Sequence, residues 1–481
     1  MFLIWKNILA NNRNKTLLWI VVTANVVFFF LYKLFLKHIL LNHFNNLQDQ
    51  INKSYYTKIF SFLEFPIISI TIILLLLILF YNHVKGFLSN IKNEIPFLII
   101  VLCFNVLIQL VIMITVQTLP IADSKYYIDL ALRLYQSGSY VNPNRQLTSF
   151  WPIGLPAYLS WLMYLNTNYL ILAKIFNIVI STVFIFVLYL VFRKELTIKG
   201  RIIFLLAFTL FPDNLFSSNC IMADYPFSLL LWLSIYIIMK YRNNNIIILL
   251  TSLILALMSY LRPVGLLLPI IFLIDFFKSY NLEISLRHSF ILIIGFCLVL
   301  SPWIYRNYKI FHKFVPISTN GGFNFLMGNH DNSSGGVNFE FHYDNSLQET
   351  KASENAYSKG TNNIITHPVE SLLRLPMKII FSYYRGDSSI TWSLKETKNR
   401  IPAFILSFIF FFTNFFFYLI LIISILGIIS YKKIFKNNTL KYFMGALYVY
   451  FILIIVIYVG AERYLIPIIP IHFFFVGKYF S

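Results

Sequence analysis

Apolar runs of about 17–25 residues recur along most of this chain, each long enough to cross the hydrocarbon core of a bilayer. Charged residues are only 12% of the 481, about half the share found in soluble domains, and mean hydropathy is +0.72. The implied fold class is all-α: a polytopic membrane helical bundle of about twelve spans with interfacial helices and a long extracytoplasmic loop. The expected spans are 17–36, 66–82, 96–118, 168–192, 201–217, 225–241, 246–261, 263–277, 288–305, 402–430, 441–460 and 465–480. The first follows Lys6, Arg13 and Lys15 and lacks a small-residue cleavage site, so it reads as an uncleaved span rather than a signal peptide.

Charge sets the orientation. The clusters Arg193/Lys194/Lys199/Arg201 and Lys432/Lys433/Lys436/Lys441 fall in short loops on one side, and the positive-inside rule makes that side cytoplasmic, with both termini. The stretch 246–277 is the weak point. As one long helix it would bury Arg262 in hydrocarbon and invert every later span. Two short helices meeting at Arg262-Pro263 near the outer face avoid both problems, and Pro263 disfavours helix just before it. Of the acidic residues, only Glu94, Glu195, Asp275 and Glu283 fall at the inner side. Asp123, Asp213, Asp224 and Glu462 sit at outer helix ends, so the functional surface faces out.

The formal charge of +20 raises the question of nucleic acid, but the basic residues sit in inter-span loops and no separate basic stripe interleaves with exposed aromatics. Nucleic acid is excluded as a partner. Cys103, Cys220 and Cys297 show neither a metal spacing nor an obvious pairing. His312, His330 and His342 read as solvated loop residues, Asn243–Asn245 as a turn, and the aromatic residues mainly as lipid-facing bulk and interface anchors.

The chain divides into an N-terminal hairpin with its cytoplasmic loop (1–95), a membrane core (96–305) with a first outer loop at 119–167, an outer loop (306–400) and C-terminal helices (401–481). The first outer loop contains a helical pattern from Ser124 to Tyr135, suited to the interface. The second combines turns at Asn320-Gly321-Gly322 and Ser334-Gly335-Gly336 with an amphipathic helix near Val369–Tyr384. Asp123 stands out because a carboxylate at headgroup depth can serve as a general base; it can equally cap the helix that follows. Arg262, Arg306 and Arg463, at outer helix ends, can grip phosphate bidentately or snorkel to lipid headgroups. Lys378 and Arg385 are weaker candidates for the same role. Asp224 either caps its helix, orients a ligand or shares a divalent ion with Asp123. Asp213 is given no role, Glu462 pairs with Arg463, and Trp151 and Tyr158 are candidates to line a lipid groove.

Asp123-Ser124, Tyr127, Ala131, Leu134, Gly138 and Tyr140, followed by Phe150-Trp151-Pro152-Ile153-Gly154-Leu155-Pro156, resemble the first outer loop of GT-C glycosyltransferases. The nearest groups are the protein O-mannosyltransferases and the lipid A aminoarabinose transferase. Asp224-Tyr225-Pro226-Phe227, Leu261-Arg262-Pro263, Ser301-Pro302-Trp303 with Arg306-Asn307, Thr319-Asn320-Gly321-Gly322 with Gly328-Asn329, and Glu462-Arg463-Tyr464 with Pro467 and Pro470 resemble further motifs in the same order, over about 96–480. Where the family often carries a second acid beside the first, this chain has Ser124. The resemblance implies sugar transfer from a polyprenyl-phosphate donor to an acceptor glycan, lipid or protein at the outer face of the cell membrane. Asp123 would be the base; Arg262, Arg463, Arg306, Asp224 and Lys378 would bind the donor. A divalent metal is the only cofactor left open. A transporter or lipid flippase, a polysaccharide polymerase or ligase, and an inactive scaffold are the competing readings; no inverted repeat favours the first.

Overall fold

The computed structural model describes Thr23, Val26, Val27 and residues 93–398, 401–430 and 435–481. The expected spans 17–36 and 66–82, and Lys432 and Lys433, lie outside the described residues apart from those three. Seventeen α-helices carry the described part: α1 (Ile95–Thr115), α2 (Ala122–Ser137), α3 (Gly154–Leu165), α4 (Tyr169–Phe192), α5 (Ile198–Leu210), α6 (Pro212–Phe216), α7 (Asp224–Tyr241), α8 (Asn245–Leu261), α9 (Pro269–Ser279), α10 (Leu282–Phe311), α11 (Gly321–Asn329), α12 (Glu349–Thr366), α13 (Pro368–Tyr383), α14 (Ser388–Leu394), α15 (Ala403–Ser430), α16 (Asn438–Ile457) and α17 (Ile469–Tyr479).

Five of these, α1, α4, α10, α15 and α16, are long and apolar enough to cross a membrane. A sixth span results if α5 and the segment Pro212–Asn219, bent by 53° at Phe211-Pro212, count as one. The remaining expected spans within the described residues appear as shorter or less apolar helices. α8 is 17 residues long; α9 and α17 have 11 each, about half the length a single crossing needs. The expected break between 246–261 and 263–277 is present: α8 stops at Arg262, whose backbone is extended, and Pro263 opens a 3-10 turn to Leu267. The Asn320-Gly321-Gly322 turn is instead the start of α11. Gly322 lies so close to the Ser353 backbone that a side chain would clash.

Small residues and polar contacts join the helices, as expected where burial from lipid supplies little driving force. In α1, Asn105 and Gln109 are fully buried and donate to Thr182 (2.9 Å) and Ser181 (2.8 Å) of α4. Trp232 of α7 donates its indole N–H to the Pro467 carbonyl (2.9 Å) at the centre of the aromatic core. α15 meets α17 where Gly427 abuts the Phe475 backbone.

Two polar assemblies lie apart from one another in the bundle. In one, Glu195 accepts the amide N–H groups of Lys436 (2.8 Å) and Asn437 (2.7 Å), and Lys478 donates to its carbonyl (2.9 Å). Asp123, Asp224, Arg262 and Arg463 gather at a separate locus, at or near the ends of α2, α7, α8 and α16.

The packing at Gly427 gives a test. Gly427→Ala sets a methyl group against backbone and should cost about 1–3 kcal/mol. Gly445→Ala on α16, where an added methyl meets nothing within 4 Å, should be neutral or stabilising by up to about 1 kcal/mol. Thermal unfolding of both variants in lipid nanodiscs reads the opposite signs.

Candidate active site

The chain enters α2 through Ala122, a non-glycine residue at φ 42°, in the left-handed region that L-residues avoid. The helix then starts at Ala122 itself, and neither Ile121 nor Asp123 makes a side-chain cap. The capping reading of Asp123 is therefore not realised. Its carboxylate turns to Arg463, whose Nη1 donates to Oδ2 at 2.6 Å.

Arg463 lies in a 3-10 turn (Glu462–Leu465) between α16 and α17. Its other terminal nitrogen, Nη2, donates to Asp224 Oδ2 at 3.1 Å. Asp224 opens α7 without capping it, and its second oxygen accepts from Arg262 Nη1. The result is an alternating chain: Asp123, Arg463, Asp224, Arg262. Two carboxylates and two guanidiniums from four separate places in the sequence neutralise one another.

Aromatic rings close this chain off. Tyr464 lies under Arg262, 5.2 Å from ring centroid to guanidinium carbon, and Trp392 of α14 lies 6.0 Å from that of Arg463. Tyr127, buried one turn after Asp123, packs edge-on against Trp151 at 5.3 Å. The Asp224 side chain is 5% exposed, Arg262 11%, Arg463 19% and Asp123 24%, so Asp123 is the most accessible of the four. Burial opposes the Arg463 charge, but Asp224 and Asp123 outweigh it and hold the guanidinium well above its ordinary pKa. Its Nε–H is buried and meets no partner among the described residues, an unused donor beside the carboxylate pair.

The other predicted residues are elsewhere. Arg306, on α10, donates to the carbonyls of Thr148 (2.7 Å) and Tyr140 (3.0 Å) and to Ser149 Oγ (2.8 Å), and stacks on Trp303 at 4.6 Å. It ties down the first loop. Lys378 is fully buried and donates to Asn329 Oδ1 (2.9 Å) and the Val456 carbonyl (2.9 Å), holding α13 against the end of α16. The exposed face of α13 is instead apolar: Val369, Leu372, Leu373 and Ile380. Glu462 does not pair with Arg463, whose partners are Asp123 and Asp224; burial pushes the Glu462 carboxyl up from its ordinary value. Asp213 does have a task. It accepts the amides of Ser389 (2.6 Å) and Ile390 (3.2 Å) and the Ser389 hydroxyl (3.0 Å), which anchors α14 and with it Trp392. His330 is buried, not solvated.

Sequence reasoning did not find Tyr127, Tyr464 and Trp392 as the rings around the site. For Tyr464 the adjacency to Arg463 was a usable signal; for Trp392, in a long loop, none existed.

Two cavities stand out, of which the first touches the cluster at Asp224. One, bounded by Asp224, Asn177, Cys220, Ser388, Ser389 and Trp392, measures about 20 Å³ and holds little more than a water molecule. The other is an open groove of about 560 Å³ along Leu119, Leu394, Lys395, Lys398, Ala403 and Leu406, beside the start of α15. Asp123 and Asp224 are joined through Arg463, and among the described residues no three His, Cys, Asp or Glu side chains gather as metal ligands. Cys103, Cys220 and Cys297 are free.

Comparison with known proteins yields little. No family model matches the chain, and neither does any curated protein. Among solved structures, the apo state of ArnT from Cupriavidus metallidurans is similar over 80% of this chain and 75% of that one, at 11% identity and a TM-score of 0.39. Likeness at that level identifies neither a family nor an activity.

Lys378 gives a pH test. Burial, with Arg374 nearby, pushes its ammonium down to about 7, whereas an unfolded lysine stays protonated to about 10.4. Between those values the unfolded chain binds the extra proton. Stability contributed by Lys378 therefore rises with pH across that window and falls as pH drops toward 7. The thermal midpoint of wild type should rise between pH 7 and pH 9.5 relative to Lys378→Met; parallel profiles would contradict this.

Proposed function

We propose that the protein is a membrane glycosyltransferase that moves a sugar from a polyprenyl-phosphate carrier to an acceptor hydroxyl at the outer face of the membrane. The observation that carries this reading is the alternating Asp123–Arg463–Asp224–Arg262 chain, with its most exposed carboxylate at one end. In a single inverting displacement, the acceptor oxygen attacks the anomeric carbon while its proton passes to Asp123. The bond from that carbon to the phosphate oxygen breaks, and the phosphate leaves with the electron pair. The enzyme supplies one base and cationic support for the leaving group, and no nucleophile of its own.

Asp123 is suited to the base role because Arg463 engages only its Oδ2; Oδ1 has no hydrogen-bond partner among the described residues. Arg463 keeps its unused Nε–H, and Arg262 spends only Nη1 on Asp224. Those remaining donors suit phosphate oxygens. Asp224 then serves as the buried anion that fixes both guanidiniums in place, a positioning role. The open groove beside α15 is apolar at Leu119, Leu394, Ala403 and Leu406 and carries Lys395 and Lys398 together with Glu396; its apolar wall suits a prenyl chain and its two lysines the attached phosphate. Arg306 and Lys378 are left out of this mechanism, since their donors are spent on backbone and on Asn329.

A transporter would place its charged groups inside a pathway near mid-membrane; here they close on one another at helix ends. The test is transfer of radiolabelled sugar from polyprenyl-phosphate donor in membranes. Asp123→Asn, which preserves shape and removes the base, should lower turnover at least about 100-fold with unchanged protein level. Arg262→Lys should lower it about tenfold or more by losing bidentate geometry. Near-normal transfer by Asp123→Asn would remove the mechanism.

A further inference from the structure

A row of aromatic rings leads away from the carboxylate. Tyr127, one turn from Asp123, packs on Trp151 (5.3 Å), and Trp151 on Phe150 (5.6 Å). Phe150 in turn meets Phe323 (6.0 Å) and Tyr343 (6.2 Å). Phe323 packs on Phe341 (5.2 Å), and Phe341 lies against the His330 imidazole (5.3 Å). The rings come from three places: the first loop, α11, and the segment between α11 and α12. Phe150, Phe323, Phe341 and Tyr343 are each only half-buried, so the cluster keeps accessible ring surface.

Two polar groups in this cluster are unaccounted for. His330 is 7% exposed and its Nε2 meets no partner among the described residues. The Tyr343 hydroxyl is also buried without a partner there. Burial holds the His330 imidazole down to about 4 and pushes the Tyr343 hydroxyl up to about 12, so both are neutral at physiological pH and able to donate and accept. Buried polar groups are ordinarily satisfied, and an orphan pair inside an aromatic cluster asks for a guest bearing hydroxyls. A sugar ring meets both needs. Its C–H face carries slight positive charge and lies on the negative face of an aromatic ring, while its hydroxyls reach outward to polar groups.

We infer that the cluster of Phe150, Phe323, Phe341, Tyr343 and His330 binds sugar rings of the acceptor, so that the acceptor is a glycan reaching Asp123 along the Trp151–Tyr127 row. This deepens the transfer reading, on which the word acceptor rests, by naming the acceptor class among glycan, lipid and protein. The cluster is held in register independently of a guest. Glu349, at the start of α12, accepts from the Ser149 amide (2.9 Å) and the hydroxyls of Thr148 and Thr319 (3.2 Å for the latter), which fixes Phe150 beside the α11 side of the cluster.

The experiment measures binding apart from turnover. Full-length protein carrying Asp123→Asn, in lipid nanodiscs, is titrated with two probes, triacetylchitotriose and mannotriose, by saturation-transfer NMR. At least one trisaccharide should bind saturably. Tyr343→Phe, which keeps the ring and removes the hydroxyl, should weaken it about fivefold; Phe341→Ala should weaken it about tenfold. Thermal unfolding of each variant reports whether the fold survives, and Tyr343→Phe is the arm that does not disturb packing. Binding by neither probe, or binding indifferent to Tyr343→Phe, overturns the proposal. Ring-dependent binding in a protein whose wild type transfers no sugar keeps this site and sinks the transfer reading instead.

Discussion

Four charged side chains withdrawn from water at one locus are tolerable only because they alternate. Asp123, Arg463, Asp224 and Arg262 form two anions and two cations in series, and the central pair, Arg463 and Asp224, each touch two opposite charges. Removing Arg463 leaves Asp123 unpaired and removing Asp224 leaves Arg262 unpaired, which costs more than the pairing contributes on balance, whereas the two end members can be lost without orphaning a neighbour. The cluster thereby ties together α2, α7, the break after α8 and the turn between α16 and α17, segments up to 340 positions apart. The Pro263 break follows from the same constraint. Arg262 must leave the helix to reach Asp224, and an extended residue before proline gives it that freedom.

Three arginines at helix ends have two different fates, and donor accounting separates them. Arg306 gives its terminal nitrogens to carbonyls of the first loop and to Ser149, and lays its flat face on Trp303, so its cation is consumed in building the loop. Arg262 and Arg463 are held by carboxylates and retain unspent N–H groups, including the orphan Nε of Arg463. A guanidinium has five donors in a fixed plane. What distinguishes a binding arginine from a building one is how many of those remain free and where they point, and neither is written in the sequence.

Five of the twelve expected spans, the break at Arg262-Pro263 and the grouping of Asp123, Asp224, Arg262 and Arg463 were legible because each rests on one-dimensional signals: apolar run length, proline geometry and charge at the ends of runs. The helices α9 and α17 read as full spans because hydropathy does not register that each opens with a 3-10 turn and a proline that shorten its helical part. Lys378 was misplaced by its amphipathic pattern. The pattern is real, but the apolar face of α13 points outward and the basic face inward, the reverse of a soluble helix, because Asn329 and the Val456 carbonyl satisfy the ammonium. Asp213 was passed over because its partner, the start of α14, lies 176 residues away. Trp392 and the ring cluster around Phe323 depend on the same kind of distant contact.

Charge balance connects the cluster to the proposed reaction. At rest, two carboxylates and two guanidiniums sum to zero, so the resting site does not strongly attract an anion through net charge. Grip on a phosphate must then come from oriented N–H groups, which is why the unspent donors of Arg463 and Arg262 matter more than their formal charge. When Asp123 takes up the acceptor proton, one negative charge leaves the cluster and its net charge becomes positive. In the same displacement the departing phosphate oxygen gains negative charge. A low-dielectric setting bounded by Tyr127, Tyr464 and Trp392 amplifies that coupling relative to water. Arg463 touches Asp123 directly, so in the proposed reaction its hold on Asp123 would slacken as the leaving group gains charge. An isolated carboxylate and an isolated arginine would lack this exchange; a guanidinium shared between Asp123 and Asp224 would allow it.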